Sequence, residues 1–280
     1  YATTAVSAGR RGEAWVINGA LIGAAAIALF PLVWMVSVSL MSAGEASTSP
    51  PPLVPGEPTL ASYRELFVRT DVGRSFANSL GLAIAATLLS LAFNVTAGYA
   101  FAKLRFAGRE LIWKLLLGLM LVPSQVAMIP LFLMLKEVGL VNTYAGVLAP
   151  SVASVFGIFL VRQYARAIPD ELLEAARVDG AGELRIFWSI VLPVLRPVLV
   201  TLAIFAFLGS WNDFLWPLIV LTDDARQTLP VALATLAREH AGDSELMMAG
   251  SVVTIVPVLI VFLALQRYYM QGLLAGSVKG

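Results

Sequence analysis

The chain has 280 residues, of which 59% are apolar and only 13% charged, with a mean hydropathy of +0.83 and a formal net charge of +1. A water-soluble domain carries roughly 45–50% apolar and about 25% charged residues, so this excess belongs in a bilayer. The small net charge, without basic tracts interleaved with aromatics, gives no nucleic-acid signal. The lack of cysteine excludes disulfides and thiolate chemistry, and His240 as the only histidine removes most zinc sites and most acid–base arrangements.

In chain order, residues 1–14 form a short polar segment with Arg10 and Arg11. The chain starts at Tyr1, and further native residues are expected to precede it. Six apolar segments of spanning length follow, near Trp15–Met41, Asn78–Ala102, Leu111–Leu135, Tyr144–Val161, Pro197–Leu221 and Leu246–Leu265, because a helix needs about 20 residues to cross. The first reads as a span rather than a signal peptide, since its apolar run is long and no small-residue cleavage site follows. Pro31, Pro123, Pro130, Pro193 and Pro257 lie in or beside spans, where neighbouring helices re-satisfy the freed carbonyls.

Between the first two spans, residues 42–75 are expected to form an outer loop. Its Pro50-Pro51-Pro52 run favours extended backbone over Gly44–Pro58, and Tyr63, Leu66 and Phe67 suggest an amphipathic surface helix over Leu60–Arg74. Residues 222–245 are net acidic and also read as an outer loop, either a cap on the bundle or a reach towards a soluble protein. Basic residues hug the span ends on the other side, among them Lys103, Arg105, Arg109, Arg162, Arg166, Arg177 and Arg185, so both termini are expected in the cytoplasm.

The most informative stretch is the polar island Ile168–Pro197, which overlaps the expected cytoplasmic loop 162–196. Pro169 followed by Asp170 and Glu171 predicts a helix start, and Gly180 supplies the left-handed residue that ends it, with Asp179 placed to cap the next helix. A second short helix is expected over Gly182–Ile190, ended by Leu192-Pro193. Ala175 and Ala176 form a low, smooth spot flanked by Glu174 and Arg177, a place where another protein could approach. In the spans, Asn94, Gln125, Asn212 and Asp213 are polar, and intramembrane polar groups are candidates for a substrate path. Asp213 has two readings: a group on a substrate path, or a residue near water between Trp211 and Trp216 in an interfacial aromatic belt.

These residues carry a family resemblance. Glu174-Ala175-Ala176, Asp179-Gly180-Ala181, Ile190, Leu192-Pro193 and Pro197 resemble the EAA loop of bacterial ABC importer permeases. Asn78–Leu80, Gly98–Arg109, Trp211–Leu221 and Met248–Val253 resemble the carbohydrate-uptake branch, and Gln266–Gly280 resembles the end of the smaller permease of maltose-type importers. The resemblance implies an all-α membrane protein with the type I importer permease fold: a permease domain over 15–271 and a cytoplasmic tail over 272–280. It further implies a sister permease, a homodimeric ABC ATPase that holds ATP and Mg, an extracytoplasmic sugar-binding protein, and surrounding membrane lipid. This chain itself would bind no cofactor or metal. Glu174, Ala175, Ala176, Asp179, Gly180 and Ala181 would dock in the ATPase, and Gly272, Gly276, Lys279 and Gly280 would lie in a tail between its subunits. The sequence lacks the GxxxxGK[ST] phosphate loop, which fits an energy source on a partner. A permease for amino acids or phosphate esters, or an ion-coupled secondary transporter, are the rival readings.

Overall fold

A chain in lipid must bond its own backbone, and long runs of apolar and small residues do so as helices. The computed structural model describes residues 3–68, 70–240 and 242–277, with side-chain surroundings from residue 15 to 266. The helices are α1 (Thr3–Ser39), α2 (Ala61–Val68), α3 (Val72–Lys103), α4 (Arg109–Leu119), α5 (Ser124–Glu137), α6 (Tyr144–Leu148), α7 (Val155–Arg166), α8 (Asp170–Val178), α9 (Glu183–Ile186), α10 (Leu192–Trp211), α11 (Leu215–Val220), α12 (Leu229–Glu239) and α13 (Ser244–Ser277). Among the described residues, four helical stretches are long and apolar enough to cross a membrane: Trp15–Ser39, Val72–Lys103, Glu183–Trp211 and Ser244–Gln266.

The remaining two expected spans are not single rods. Leu111–Leu135 is divided into α4 and α5, which meet at 107° across the break before Ser124. Pro123 cannot continue a helix from α4, so it instead opens α5. Tyr144–Val161 is divided into α6, a 3₁₀ turn over Ala149–Ser151, and α7, with a bend of 42°. Counting each bent pair as one span gives up to six.

The fifth expected span also differs. Leu192-Pro193 does not end the helix begun at Glu183; a π-helical turn over Phe187–Val191 carries it into α10, which runs through Pro197 and stops at Trp211. The wider turn bonds Leu192 N–H to the Phe187 carbonyl five residues back, and so carries the ladder up to the residue before the proline. Two smaller expectations need correction. Asp179 terminates α8, whereas Gly182 precedes α9 and makes no side-chain cap. The Leu60–Arg74 stretch is divided between α2 and the start of α3, and Phe67 is exposed while Ser62 and Leu66 are buried.

Contacts divide the chain into two units. The first comprises Tyr1–Thr70 and Thr235–Ile255. Its buried residues include Val38, Met41, Leu66, Leu236, Leu246 and Ala249, whereas α1 from Trp15 to Phe30 is exposed and apolar, as suits a lipid contact. The 44–58 loop is more structured than prolines alone suggest. It contains a 3₁₀ turn at Glu45–Ser47, and the Glu45 carboxylate accepts from Ser42 N (3.0 Å) and Gly56 N (2.7 Å). Those backbone bonds favour the charged form and hold the Glu45 carboxyl below its ordinary range. Buried Glu245 accepts from Ala46 N at 2.9 Å, and Ser39 Oγ bonds the Tyr63 hydroxyl at 2.8 Å.

The second unit comprises Asp71–Ala234 and Val256–Gly280. Its centre is the seam of α3, α7 and α10. Val95 and Tyr99 of α3, Val161 and Ala165 of α7, and Leu195, Val198 and Leu202 of α10 share one buried cluster. The close approach of α3 and α7 depends on small residues: a Cβ on Gly98 would lie 2.6 Å from Val161 Cβ and 3.0 Å from Arg162 N. A Cβ on Gly157 would meet Asn94 Nδ2 at 2.7 Å. The fully buried Asn94 ties the seam, donating to Ser90 Oγ (2.6 Å) and accepting from Ser154 N (2.9 Å). At one end of α3, Asn78 donates to the Ala225 and Gln227 carbonyls (3.1 and 3.0 Å), and Ser79 accepts from Leu229 N (2.7 Å). Part of the 222–245 segment is thus clamped onto α3.

At the other end of α3, Lys103 Nζ donates to the Ile168 carbonyl and to Asp170 Oδ1, both at 2.5 Å. The lysine is almost wholly buried and Asp170 is exposed. The Lys103 hydrogen bond and charge hold the Asp170 carboxyl below its ordinary range. A lowered folded-state pKa stabilises the fold above the unfolded value near 4, and that contribution disappears as pH falls through the folded value.

Gly98→Val should destabilise the detergent-solubilised protein by about 1–3 kcal/mol, read as a lower thermal midpoint. Gly81→Ala, where a Cβ would meet nothing within 4 Å, should leave the midpoint unchanged. Hydrogen exchange in α8 should stay slow at neutral pH and quicken below about pH 4, whereas Asp170→Asn should exchange fast throughout.

Candidate functional site

The polar island folds as expected around Gly180. Its φ is +82°, its N–H bonds the Arg177 carbonyl (3.0 Å), and Ala181 N bonds the Ala176 carbonyl (2.9 Å). This pair of bonds closes the α8 C-terminus and turns the chain towards α9. Asp170 and Glu171 occupy the first turn and Arg177 the last, all favourable to the helix dipole.

One face of α8 is held inward. Leu173 is buried with Ile168, Ile186, Phe187 and Val191, and Ala176 and Ala181 pack against the same cluster. Arg177 Nε donates to Glu183 Oε1 at 2.7 Å, and Tyr99 Oη donates to Glu183 Oε2 at 3.0 Å, joining α8, α9 and α3. The Glu183 hydrogen bond raises the Arg177 guanidinium above its ordinary range. The other face is exposed: Glu171, Leu172, Glu174, Ala175, Val178, Asp179 and Gly180 all face outward. Val178 is 87% exposed, and Leu184 of α9 and Trp188 of the π-helical turn are 77% and 67% exposed. The six expected docking residues therefore divide. Glu174, Ala175, Asp179 and Gly180 lie on the open face, while Ala176 and Ala181 are half-buried supports.

Sequence reading missed the residues that hold this platform: Lys103, Tyr99 and Glu183. Tyr99 and Glu183 are 84 residues apart, so local periodicity holds no trace of their bond. The position of Lys103 at the end of a predicted span was the one available signal.

The expected substrate-path residues also divide. Gln125, Asn212 and Asp213 line one cavity of about 630 Å³ together with Ser124, Met128, Phe214 and Trp216. It lies where α5 starts and where α10 stops before α11. Asp213 Oδ1 accepts from Trp216 N at 3.4 Å. Asn94 lies apart at the α3–α7 seam with both ends of its amide used. Trp211 and Trp216 are buried, not placed as an interfacial belt. Trp211 meets Phe76 edge-on at 5.5 Å, and Trp216 Nε1 donates to the Gly146 carbonyl at 3.2 Å. Gly272 and Gly276 fall in α13 but beyond the described side-chain surroundings, and Lys279 and Gly280 lie outside the described residues.

Comparison with known proteins places this architecture. The family model described as binding-protein-dependent transport system inner membrane component matches residues 94–274. The chain is 38% identical over 269 residues to the arabinooligosaccharides transport system permease protein AraQ of Halalkalibacterium halodurans, covering 95% of this chain and 96% of that one. It is 36% identical to the lactose transport system permease protein LacG of Rhizobium radiobacter, over 91% and 93% of the two chains. It is 34% identical to the melibiose/raffinose/stachyose import permease protein MelC of Bacillus subtilis, over 89% and 91%. A solved bacterial ABC transporter involved in the import of the acidic polysaccharide alginate superposes with a TM-score of 0.81 at 27% identity, covering 91% of this chain and 95% of that one. A family model spanning most of the α3–α13 region, and relatives alike along nearly the whole chain, lead to one assignment: this protein belongs to the inner membrane components of binding-protein-dependent ABC transport systems.

Proposed function

We propose that the chain is the transmembrane permease subunit of an ATP-driven, binding-protein-dependent sugar importer. In this reading it forms half of the translocation path with a sister permease, crosses the inner membrane six times, and keeps both termini in the cytoplasm. A homodimeric ATPase supplies the energy, and an extracytoplasmic binding protein delivers the sugar. The observation that carries the proposal is the α8–α9 platform, fixed on one face and bare on the other. The names of the relatives, permeases for arabinooligosaccharides, lactose and the melibiose/raffinose/stachyose group, support a saccharide as cargo.

The geometry suits transmission of force. A push on the open face of α8 passes through Lys103 and Tyr99 into α3, and through Leu173, Ile186 and Val191 into α10. The far end of α10 leads directly to Asn212 and Asp213 on the cavity wall. One helix therefore joins the platform to the polar cavity. Movement of the platform rocks that wall, which is alternating access driven through a packed contact. The amide and carboxylate groups of Gln125, Asn212 and Asp213 are hydrogen-bonding partners for sugar hydroxyls.

Gly180 tests the docking. A Cβ there meets nothing within 4 Å, so a side chain fits without a clash inside the chain, although its positive φ disfavours any residue but glycine. Gly180→Ala measures the backbone effect alone, and Gly180→Trp adds bulk on the docking face. The expected outcome in the reconstituted complex is at least a tenfold loss of binding-protein-stimulated ATP hydrolysis with Trp and a smaller loss with Ala. Equal, wild-type hydrolysis in both would remove α8 from the coupling contact. Asp213→Asn should raise the KM of sugar uptake by about tenfold, equivalent to ~1.4 kcal/mol, with an unchanged KM returning Asp213 to a structural role.

A further inference from the structure

A second cavity of about 300 Å³ lies within the same unit, walled by α3, the α6–α7 bend and α10. It shares Val147, Ser151 and Asp213 with the larger cavity, so Asp213 stands where the two meet. Its wall is largely apolar, but Ser90, Ser151, Ser154, Ser210 and Thr228 add hydroxyls to the Asp213 carboxylate. Three of these hydroxyls have local duties: Ser90 accepts from Asn94, Ser151 donates to the Leu148 carbonyl, and Ser154 accepts from Gly157 N. Thr228 differs. It is only 3% exposed, and its Oγ1 has no hydrogen-bond partner. A buried hydroxyl left unpaired is unfavourable, so a local shift that turns Thr228 Oγ1 towards a polar ligand in the cavity is favoured. On the same wall, Phe156 and Phe205 meet edge-on at 5.6 Å, and both rings remain substantially exposed.

Resting on the sugar-importer reading, we infer that this cavity is a sugar-ring subsite of this chain, with Thr228, Ser210 and Asp213 taking ring hydroxyls and Phe205 and Phe156 taking an apolar ring face. A sugar ring carries hydroxyls around its edge and C–H groups across its faces, and this wall offers partners for both. An acyl chain would leave the Thr228 hydroxyl unpaired and would bring no donor to the Asp213 carboxylate. Ligand pockets range from about 300 to 1,000 Å³, so the smaller cavity suits one ring and the larger can hold the next units of an oligosaccharide. Asp213, common to both, would then lie beside the junction between units.

The lack of native cysteine permits a direct test. Thr228→Cys and Ser210→Cys are introduced singly into the full complex in proteoliposomes and exposed to a small methanethiosulfonate reagent. The reaction is run with and without the loaded binding protein and ATP, using arabinotriose, lactose and raffinose as probes. The sugar that the wild-type complex takes up should slow labelling at both positions at least fivefold, while Thr201→Cys on α10, off the cavity wall, should label equally with and without it. Phe205→Ala should raise the KM for the same sugar about tenfold. Uptake by the wild type without protection at either cysteine would overturn the subsite and leave the importer reading standing; the cavity would then hold water only. Absence of uptake of any saccharide, with uptake of an amino acid or phosphate ester instead, would overturn both readings together. Should Thr228→Cys fail to assemble, Ser210→Cys alone decides between these outcomes.

Discussion

The close approach of α3 and α7 is the constraint on which the second unit depends. Gly98 and Gly157 leave no room for side chains, and Asn94 fastens the gap they create. Within a bilayer, burial of apolar surface gives little preference for one helix partner over lipid, so close van der Waals packing and interhelical hydrogen bonds must position the helices. Once α3 is fixed against α7, its two ends become reference points. Asn78 holds the segment before α12 and Ser79 the first residue of α12, and Tyr99 and Lys103 hold α9 and α8. A single seam thus fixes features at both ends of one helix.

The platform combines rigidity with exposure. Its inner face belongs to the core cluster, so α8 cannot tilt without disturbing α10. Its outer face carries Val178, Leu184 and Trp188, apolar residues that a chain needing no partner would place elsewhere. Acidic residues at its first turn and a left-handed glycine after its last keep the helix short and its direction fixed.

Much of this was legible in local chemistry. Pro169, Asp170, Glu171 and Gly180 mark the limits of α8 because caps and turns are decided by neighbouring residues. The long apolar runs of α1, α3 and α13 are equally plain. The break at Met120–Pro123 was not, because average hydropathy cannot distinguish a straight apolar helix from two shorter ones meeting at a proline. Trp211 and Trp216 look like interfacial residues in sequence, yet partners distant in sequence, Phe76 and Gly146, place them inside. The cavity was foreshadowed by Gln125, Asn212 and Asp213, but Ser210 and Thr228 carried no sequence signal, since serine and threonine also satisfy themselves within ordinary helices.

The π turn at Phe187–Val191 has a geometric consequence for the platform. Ile186 and Val191 are five residues apart, which in an α-helix would set them about 140° out of phase. Both are nevertheless buried in one cluster with Leu195, because the wider turn absorbs the surplus residue. The direction in which α8 and α9 face, relative to α10, is therefore set by a single extra residue in the helix. Losing or gaining one such residue would turn the whole platform by about 100° about the α10 axis, making this turn the point at which related permeases could re-aim their contact surface without altering either the bundle or the docking residues.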